Sequence, residues 1–133
     1  MPTPKIKQIN ETCLYVKDIE TSRHFYEEVL GLERIHYSEN KHLFLKIGKD
    51  VLLLFNAKFT QNQTTPPSHD GGGRQHIAFE ADLDQYELWK NHLIQHQIEI
   101  EFEQTWPKGG QSCYFRDPDG LCLEIVQPGI WGF

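Results

Sequence analysis

Long apolar runs are absent from this 133-residue sequence, and so is any excess of basic residues. No stretch approaches the roughly 20 apolar residues that a membrane-spanning helix needs, so no membrane partner is expected. The formal net charge is -6 and the 13 Lys and Arg residues form no basic run. This balance argues against nucleic acid or an anionic lipid surface as a partner. A small-molecule substrate is the better expectation.

Cysteine is also scarce, with three residues and no regular spacing. An odd, irregular set of cysteines predicts no disulfide framework, and Cys13 and Cys122 are expected to pack as small buried hydrophobes in strands. A secretory signal begins with a basic flank followed by an apolar stretch, and the first residues do not show this pattern. We therefore expect a cytoplasmic protein, and the length and the 38% hydrophobic content predict one domain with an ordinary core.

The sequence does contain an internal repeat. Residues 11–16 (ETCLYV) correspond to residues 76–81 (HIAFEA), and each segment precedes a helical stretch and three strand-like runs. The repeat predicts an α+β fold and a single domain over residues 1–133. This domain consists of module one at about 6–56 and module two at about 74–128. The Pro- and Gly-rich residues 57–73 are predicted to be a mobile linker or a loop that closes over a site.

Hydrophobic periodicity and turn residues place the elements of each module. Module one is predicted to hold a helix that Asp18 caps and Gly31 ends. Its strands are predicted at about 6–16, 32–37, 43–47 and 51–56. Module two is predicted to begin with a strand at residue 74, followed by a helix over about 83–95. Its later strands are predicted at about 98–103, 112–116 and 121–127, the last two joined by the tight turn 117–120 (DPDG).

Glu11, His76 and Glu124 are the candidate metal ligands. Strand alternation turns all three away from the side that the helices are expected to cover. One imidazole and two carboxylates suit a divalent cation such as Mn, Fe, Ni or Zn, with open positions for substrate oxygens. The plainer interpretations are an exposed strand-start carboxylate for Glu11 and a hydrogen-bonded strand histidine for His76. Glu124 lies in an apolar strand, where an unpaired carboxylate costs several kcal/mol, so it is predicted to meet a cation.

Four segments carry a resemblance to a known superfamily: LYVKDI at 14–19, FYEEVLGL at 25–32, HIAF at 76–79 and FRDPDGLCLE at 115–124. With them the chain resembles the vicinal oxygen chelate superfamily of lactoylglutathione lyases, extradiol dioxygenases, fosfomycin-resistance enzymes and bleomycin-resistance proteins. The resemblance implies a glyoxalase-like fold of two βαβββ modules that form a cupped mixed sheet around a metal. It also implies a homodimer.

Residue by residue, the resemblance assigns the four metal-ligand positions of the superfamily to Glu11, Leu53, His76 and Glu124. The first position is often His or Gln in the superfamily, and Glu11 can still bind a metal. Leu53 cannot, so the four-ligand site of a lactoylglutathione lyase is incomplete here. Tyr114 corresponds to a hydrogen-bonding or acid-base group of the extradiol dioxygenases, but the histidine expected upstream of it is missing. Dioxygenase chemistry therefore ranks below lyase, isomerase or transferase chemistry.

These observations predict a small metal-dependent enzyme that chelates an oxygen-rich substrate, with Glu124 and Tyr114 as catalytic residues that move protons. The alternative is a metal-free protein that binds a drug or metabolite between aromatic walls, as bleomycin-resistance proteins do. An interaction module with a vestigial cup is the third interpretation. Candidates for the lining are Tyr15, Phe44, Phe55, Trp106 and Tyr114.

Overall fold

The computed structural model describes residues 3–5 and 8–132. The chain divides into two compact units, Met1–Gly71 and Gly72–Phe133, and each contains one four-stranded sheet. In both units one strand pair is parallel and the other two are antiparallel. Each unit therefore follows the predicted βαβββ plan, and the predicted α+β class is confirmed.

The first unit has the strand order β1-β4-β3-β2. Its strands are β1 (Thr12–Val16), β2 (Glu33–Ser38), β3 (His42–Ile47) and β4 (Asp50–Asn56). Helix α1 (Ile19–Arg23) continues as a π-helical segment (His24–Val29), and a short helix α2 (Ala57–Thr60) follows β4. Because β1 and β4 are parallel, the chain needs a crossover between them, and α1 begins that crossover.

Local sequence explains both ends of the first helical stretch. The Asp18 carboxylate accepts hydrogen bonds from the backbone N–H groups of Glu20 and Thr21, so Asp18 is the N-cap as predicted. Gly31 has φ +72°, a conformation that favours glycine, and lies just beyond the end of the π-helical segment. The core of this unit is apolar and buried; its largest contributors are Tyr26, Ile19, Leu43, Leu45, Leu52 and Leu54.

The second unit has the strand order β5-β8-β7-β6. Its elements are β5 (His76–Glu80), α3 (Tyr86–Gln95), β6 (Phe102–Thr105), β7 (Gln111–Arg116) and β8 (Cys122–Val126). Helix α3 contacts β8. Its side chains Tyr86 and Leu93 are fully buried, as are Phe115 and Leu123 of the sheet. Residues 112, 114, 122 and 124 lie on the opposite face of the sheet from this apolar layer.

Several boundaries differ from the sequence prediction. Helix α3 begins at Tyr86, after a turn at 83–85, and Leu83 is 69% exposed. Strand β6 begins at Phe102 because the N–H of Ile98 donates to the carbonyl of Leu93 at 2.9 Å, which ties residue 98 to the helix end. Gln97, at φ +60°, makes the reversal. Phe102, the first residue of β6, is 59% exposed.

Two further differences concern the first unit. Strand β1 begins at Thr12, whereas the predicted strand began at residue 6, and residues 6 and 7 lie outside the described part. The predicted linker 57–73 starts with α2, because the Asn56 side chain accepts a hydrogen bond from the N–H of Lys58 and caps it. All three cysteines are free; Cys13 is exposed and Cys122 is half-buried, so neither is the buried hydrophobe that was expected. Among the described residues no helix combines the length and the apolar character that a membrane span needs.

Candidate metal centre and ligand cavity

Strand register brings two predicted ligands together in the second unit. The parallel pairing of β5 with β8 places His76 beside Cys122 and Ala78 beside Glu124. The antiparallel pairing of β7 with β8 places Tyr114 opposite Glu124. Directly paired residues point to the same face of a sheet, so His76, Glu124 and Tyr114 share one face.

The imidazole of His76 lies beside the Glu124 carboxylate, with 3.3 Å between Nε2 and Oε1. The other ring nitrogen, Nδ1, lies 2.8 Å from the backbone carbonyl oxygen of Cys122. A carbonyl only accepts, so Nδ1 carries the proton, and in neutral imidazole Nε2 then presents a lone pair to the carboxylate. Two acceptors that face each other need a cation between them, either a second proton on His76 or a metal ion.

The burial of Glu124 makes this requirement stronger. Glu124 is only 4% exposed, and its ion pair within the described residues is with His76. A buried carboxylate is costly unless it is paired and hydrogen-bonded. The donor geometry also fits a metal, because two metal bonds of about 2.1 Å at about 90–109° place their donor atoms about 3.0–3.4 Å apart. The pair His76 and Glu124 therefore fits two ligands of one divalent cation.

The second carboxylate oxygen of Glu124 is held by Ser112. The Ser112 hydroxyl donates to Oε2 at 2.5 Å, and the indole N–H of Trp106 donates to the Ser112 oxygen at 2.7 Å. Sequence reasoning placed Trp106 among the lining aromatics and did not single out Ser112. The one sequence feature that could have pointed to Ser112 is its position two residues before Tyr114, which places both side chains on the same face of the strand.

Tyr114 lies next to this group. Its ring stacks on His76 with 6.1 Å between centroids and also lies 6.0 Å from the ring of Phe102. Burial, followed by the negative charge of Glu124, raises the pKa of the Tyr114 hydroxyl above its ordinary value of 10.0. The phenol is therefore protonated at neutral pH and is available as a hydrogen-bond or proton donor.

The first unit contains the other predicted ligand, Glu11, and a cavity of about 540 Å³. Glu11 is exposed and lies immediately before β1, in the place that His76 has at the start of β5. The walls of the cavity are largely apolar or aromatic; they include Leu53, Phe44, Phe55, His42, His69 and Glu11. A cavity of this size and character suits a small organic ligand.

Leu53 occupies the position in the first sheet that Glu124 has in the second. Leu53 pairs with Cys13 across the parallel strands β1 and β4, as Glu124 pairs with Ala78 across β5 and β8. The register therefore reproduces the predicted alignment. A leucine offers no donor atom, so this position adds apolar surface to the cavity and no metal ligand.

Aromatic rings form a connected cluster around the cavity. His42 stacks on Phe44 with 4.1 Å between centroids, and Phe55 meets Phe44 edge to face. His69 lies 4.8 Å from Phe55 and its Nδ1 is hydrogen-bonded to the Tyr15 hydroxyl at 2.7 Å. His69 belongs to the predicted linker 57–73, so in this structure that segment contributes directly to the cavity wall.

The described residues contain no group of three or more His, Cys, Asp or Glu side chains able to hold a metal ion. Of the three predicted metal ligands, His76 and Glu124 are in contact in the second unit, and Glu11 lines the cavity of the first unit.

Comparison with known proteins gives a consistent family. The model of the Glyoxalase/Bleomycin resistance protein/Dioxygenase superfamily matches residues 8–125. Metallothiol transferase FosB of Staphylococcus haemolyticus is 31% identical over 90% of this chain and 83% of that protein. FosB of Staphylococcus epidermidis is 29% identical over 91% of this chain and 82% of that protein's length.

Solved structures agree with the sequence comparison. The crystal structure of lactoylglutathione lyase from Agrobacterium tumefaciens superposes with a TM-score of 0.90 and 32% identity, covering 97% of this chain and 99% of that one. This likeness supports the glyoxalase-like fold that the sequence implied. The chain belongs to the Glyoxalase/Bleomycin resistance protein/Dioxygenase superfamily.

Proposed function

We propose that this protein is a metal-dependent enzyme in which His76, Glu124 and Glu11 hold a divalent cation of the Mn, Fe, Ni or Zn type. The observation that carries the proposal is the contact between Nε2 of His76 and the buried Glu124 carboxylate, two acceptors 3.3 Å apart that need a cation. Glu11 joins them because it precedes β1 as His76 opens β5 in the repeat. Such a cation supplies Lewis-acid stabilisation of negative charge on a substrate oxygen.

The protein's own residues have separate roles in this proposal. Cys122, through its carbonyl, orients the His76 ring so that Nε2 faces Glu124. Tyr114 keeps its proton at neutral pH and donates it, or a hydrogen bond, to a substrate oxygen. Glu124, a carboxylate ligand of the proposed cation, is the candidate acceptor of a substrate proton.

The relatives narrow the reaction class without fixing it. Two of the relatives are named metallothiol transferase, and one solved structure is named lactoylglutathione lyase. We propose lyase, isomerase or transferase chemistry on a substrate that presents two neighbouring oxygens. Dioxygenase chemistry is ranked lower, since Glu11 stands where that class of site carries a second histidine.

Two further features belong to the proposal. We propose that residues 1–133 form one glyoxalase-like domain and that the protein is a homodimer, as the resemblance implies. Sedimentation equilibrium tests the dimer, and a mass of about 31 kDa, twice the 15.6 kDa of the chain, is expected. A single cooperative unfolding transition tests the one-domain assignment, whereas two separate transitions contradict it.

Metal analysis tests the central proposal. Protein purified without chelator is expected to contain one divalent ion per chain, and added Mn, Ni, Fe or Zn should raise the melting temperature of metal-free protein. Glu124→Gln, which preserves shape and removes charge, should abolish both effects. Glu99→Gln, a change at an exposed glutamate, is the matched control. A metal-free wild type with no thermal shift for any of the four ions contradicts the proposal.

The cavity of the first unit supports a second candidate function, a metal-independent binding protein. Its walls of Phe44, Phe55, His42 and His69 suit a ligand with a planar ring. Under this alternative, ligand affinity is unchanged by EDTA and by Glu124→Gln but falls in Phe55→Ala. Under the enzyme proposal, turnover is lost with EDTA and with Glu124→Gln.

A further inference from the structure

We infer that Ser112 and Trp106 are positioning residues that hold the Glu124 carboxylate in one orientation, so that it binds the cation through Oε1 alone. This inference rests on the proposed metal site. It concerns two side chains that the superfamily resemblance did not assign to that site. The observation behind it is a directed chain of hydrogen bonds from Trp106 through Ser112 to Glu124.

The direction of each hydrogen bond is fixed by chemistry. An indole N–H only donates, so Trp106 donates to the Ser112 oxygen at 2.7 Å. The Ser112 hydroxyl has one proton, and an ionised carboxylate only accepts, so that proton goes to Oε2 of Glu124 at 2.5 Å. Ser112 cannot rotate its proton elsewhere without losing one of the two bonds. A hydrogen bond to a carboxylate is also stronger than one between neutral groups.

Burial and backbone anchoring make the chain of bonds rigid. Ser112 is 0% exposed and Glu124 is 4% exposed, so water cannot easily replace either partner. The N–H of Trp106 donates to the carbonyl of Gly110, and the N–H of Gly109 donates to the carbonyl of Trp106, both at 2.9 Å. The turn between β6 and β7 therefore fixes the backbone of Trp106, and the indole N–H is held by its hydrogen bond to Ser112.

The consequence is a carboxylate with two different oxygens. Oε2 is engaged by Ser112, while Oε1 faces Nε2 of His76. A carboxylate held in this way binds a cation with one oxygen, which leaves one more coordination position for substrate than bidentate binding does. Removing a side chain that hydrogen-bonds a metal ligand, without itself binding the metal, changes metal affinity by about 10–100-fold.

A matched pair of variants tests the role of the Ser112 hydroxyl. Ser112→Thr keeps the hydroxyl and Ser112→Val replaces it with a methyl group of the same shape, so both carry the same cost of added volume. Isothermal titration of metal-free protein with Mn²⁺ and Ni²⁺ measures affinity, and circular dichroism confirms folding. We expect Ser112→Val to bind about 10–100-fold more weakly than Ser112→Thr, and Trp106→Phe to weaken binding in the same direction.

Tryptophan emission gives a second readout that a merely structural role would not move. Trp89→Phe/Trp131→Phe leaves Trp106 as the remaining tryptophan of the three. Because its N–H is coupled through Ser112 to Glu124, binding of Mn²⁺ or Ni²⁺ should change its emission, and Ser112→Val should remove most of that change. If Ser112→Val fails to fold, the emission of Trp106 in Trp89→Phe/Trp131→Phe with Ser112 intact still tests the coupling, and an emission that metal binding leaves unchanged overturns it.

Different results would overturn the positioning role of Ser112 and the metal site itself. Metal binding by the wild type with equal affinities in Ser112→Thr and Ser112→Val overturns the positioning role and leaves the metal site standing. No metal binding by the wild type overturns both. A loss in Ser112→Val that Ser112→Thr does not share, together with the lost emission change, supports the inference.

Discussion

Oε1 of Glu124 lies 3.3 Å from Nε2 of His76, and neither atom has a proton to share when the imidazole is neutral. His76 and Glu124 are 48 residues apart in the sequence, and the parallel pairing of β5 and β8 brings them together. The same pairing in the first sheet places Leu53 beside Cys13. One unit thus offers two metal donors and the other an apolar position at the equivalent place.

Replacing His76 should remove a metal ligand. In His76→Gln we expect metal affinity to fall by more than roughly 100-fold, because losing a direct ligand costs more than losing a side chain that only hydrogen-bonds a ligand. Isothermal titration of metal-free protein with Ni²⁺ is the measurement. His96→Gln, at an exposed histidine beyond the end of α3, should leave affinity unchanged. Equal affinities in the two variants would remove His76 from the proposed site.

Tyr114 should titrate at higher pH than an ordinary tyrosine. Its pKa is raised by burial and by the charge of Glu124, so its phenolate should form above the ordinary pKa of 10.0 in the metal-free protein. The difference in absorbance at the phenolate band between wild type and Tyr114→Phe isolates this group. The raised pKa also means that its contribution to stability is present below pH 10 and is lost as pH rises through the folded value. A transition at or below pH 10 would contradict this reading of its surroundings.

Tyr114→Phe should also separate chemistry from metal binding. If Tyr114 donates a proton, turnover should fall by about 100–10,000-fold while the affinity for Ni²⁺ changes little. Lactoylglutathione cleavage and thiol transfer are the first two reactions to assay, given the names of the relatives. Unchanged turnover in the variant would exclude Tyr114 as the proton donor.

Phe44→Ala should weaken binding of an aromatic ligand in the cavity of the first unit. Phe44 stacks on His42 and meets Phe55, so its loss removes ring contacts worth about 0.5–1.5 kcal/mol per pair. Fluorescence titration with a naphthalene-based dye measures the effect. Phe59→Ala serves as the control because Phe59 is exposed and does not line the cavity. Equal losses in both variants would mean that the dye binds elsewhere.

Acid should weaken the first unit through Glu20. Hydrogen bonds from Arg23 and Tyr37 lower the pKa of this carboxyl to about 2. Its folded pKa lies below the ordinary value of 4.5, so its stabilising effect is present above pH 4.5 and is lost as pH falls toward about 2. Urea unfolding of wild type and Glu20→Gln should therefore differ at pH 7 and converge near pH 2. A constant difference across that range would contradict the assignment.

The sequence predicted most where short-range chemistry decides the structure. The turn 117–120 carries an Asp whose Oδ1 accepts from the N–H groups of Asp119 and Leu121, so the hairpin of β7 and β8 follows from local residues. The Asp18 cap is another such case. Register then made the pairing of His76 with Glu124 predictable, because strand alternation and the repeat both point to it.

The errors have a different origin. Ile98 and Ile100 alternate with glutamates as a strand does, yet the end of α3 captures the N–H of Ile98 and delays β6. The sequence around Ser112 gives little indication of its role. Its acceptor Glu124 is twelve residues away, and its donor Trp106 lies across a turn. Such contacts depend on side-chain packing, which periodicity does not encode.

The metal content of Glu124→Gln compared with that of wild type shows whether Glu124 holds a divalent ion. Elemental analysis of both proteins, each dialysed against the same low concentration of Ni²⁺ or Mn²⁺ and then freed of unbound ion, is the measurement. We expect about one ion per chain in wild type and in Glu99→Gln, and essentially none in Glu124→Gln. Equal metal content in wild type and Glu124→Gln, or none in either, would contradict this expectation.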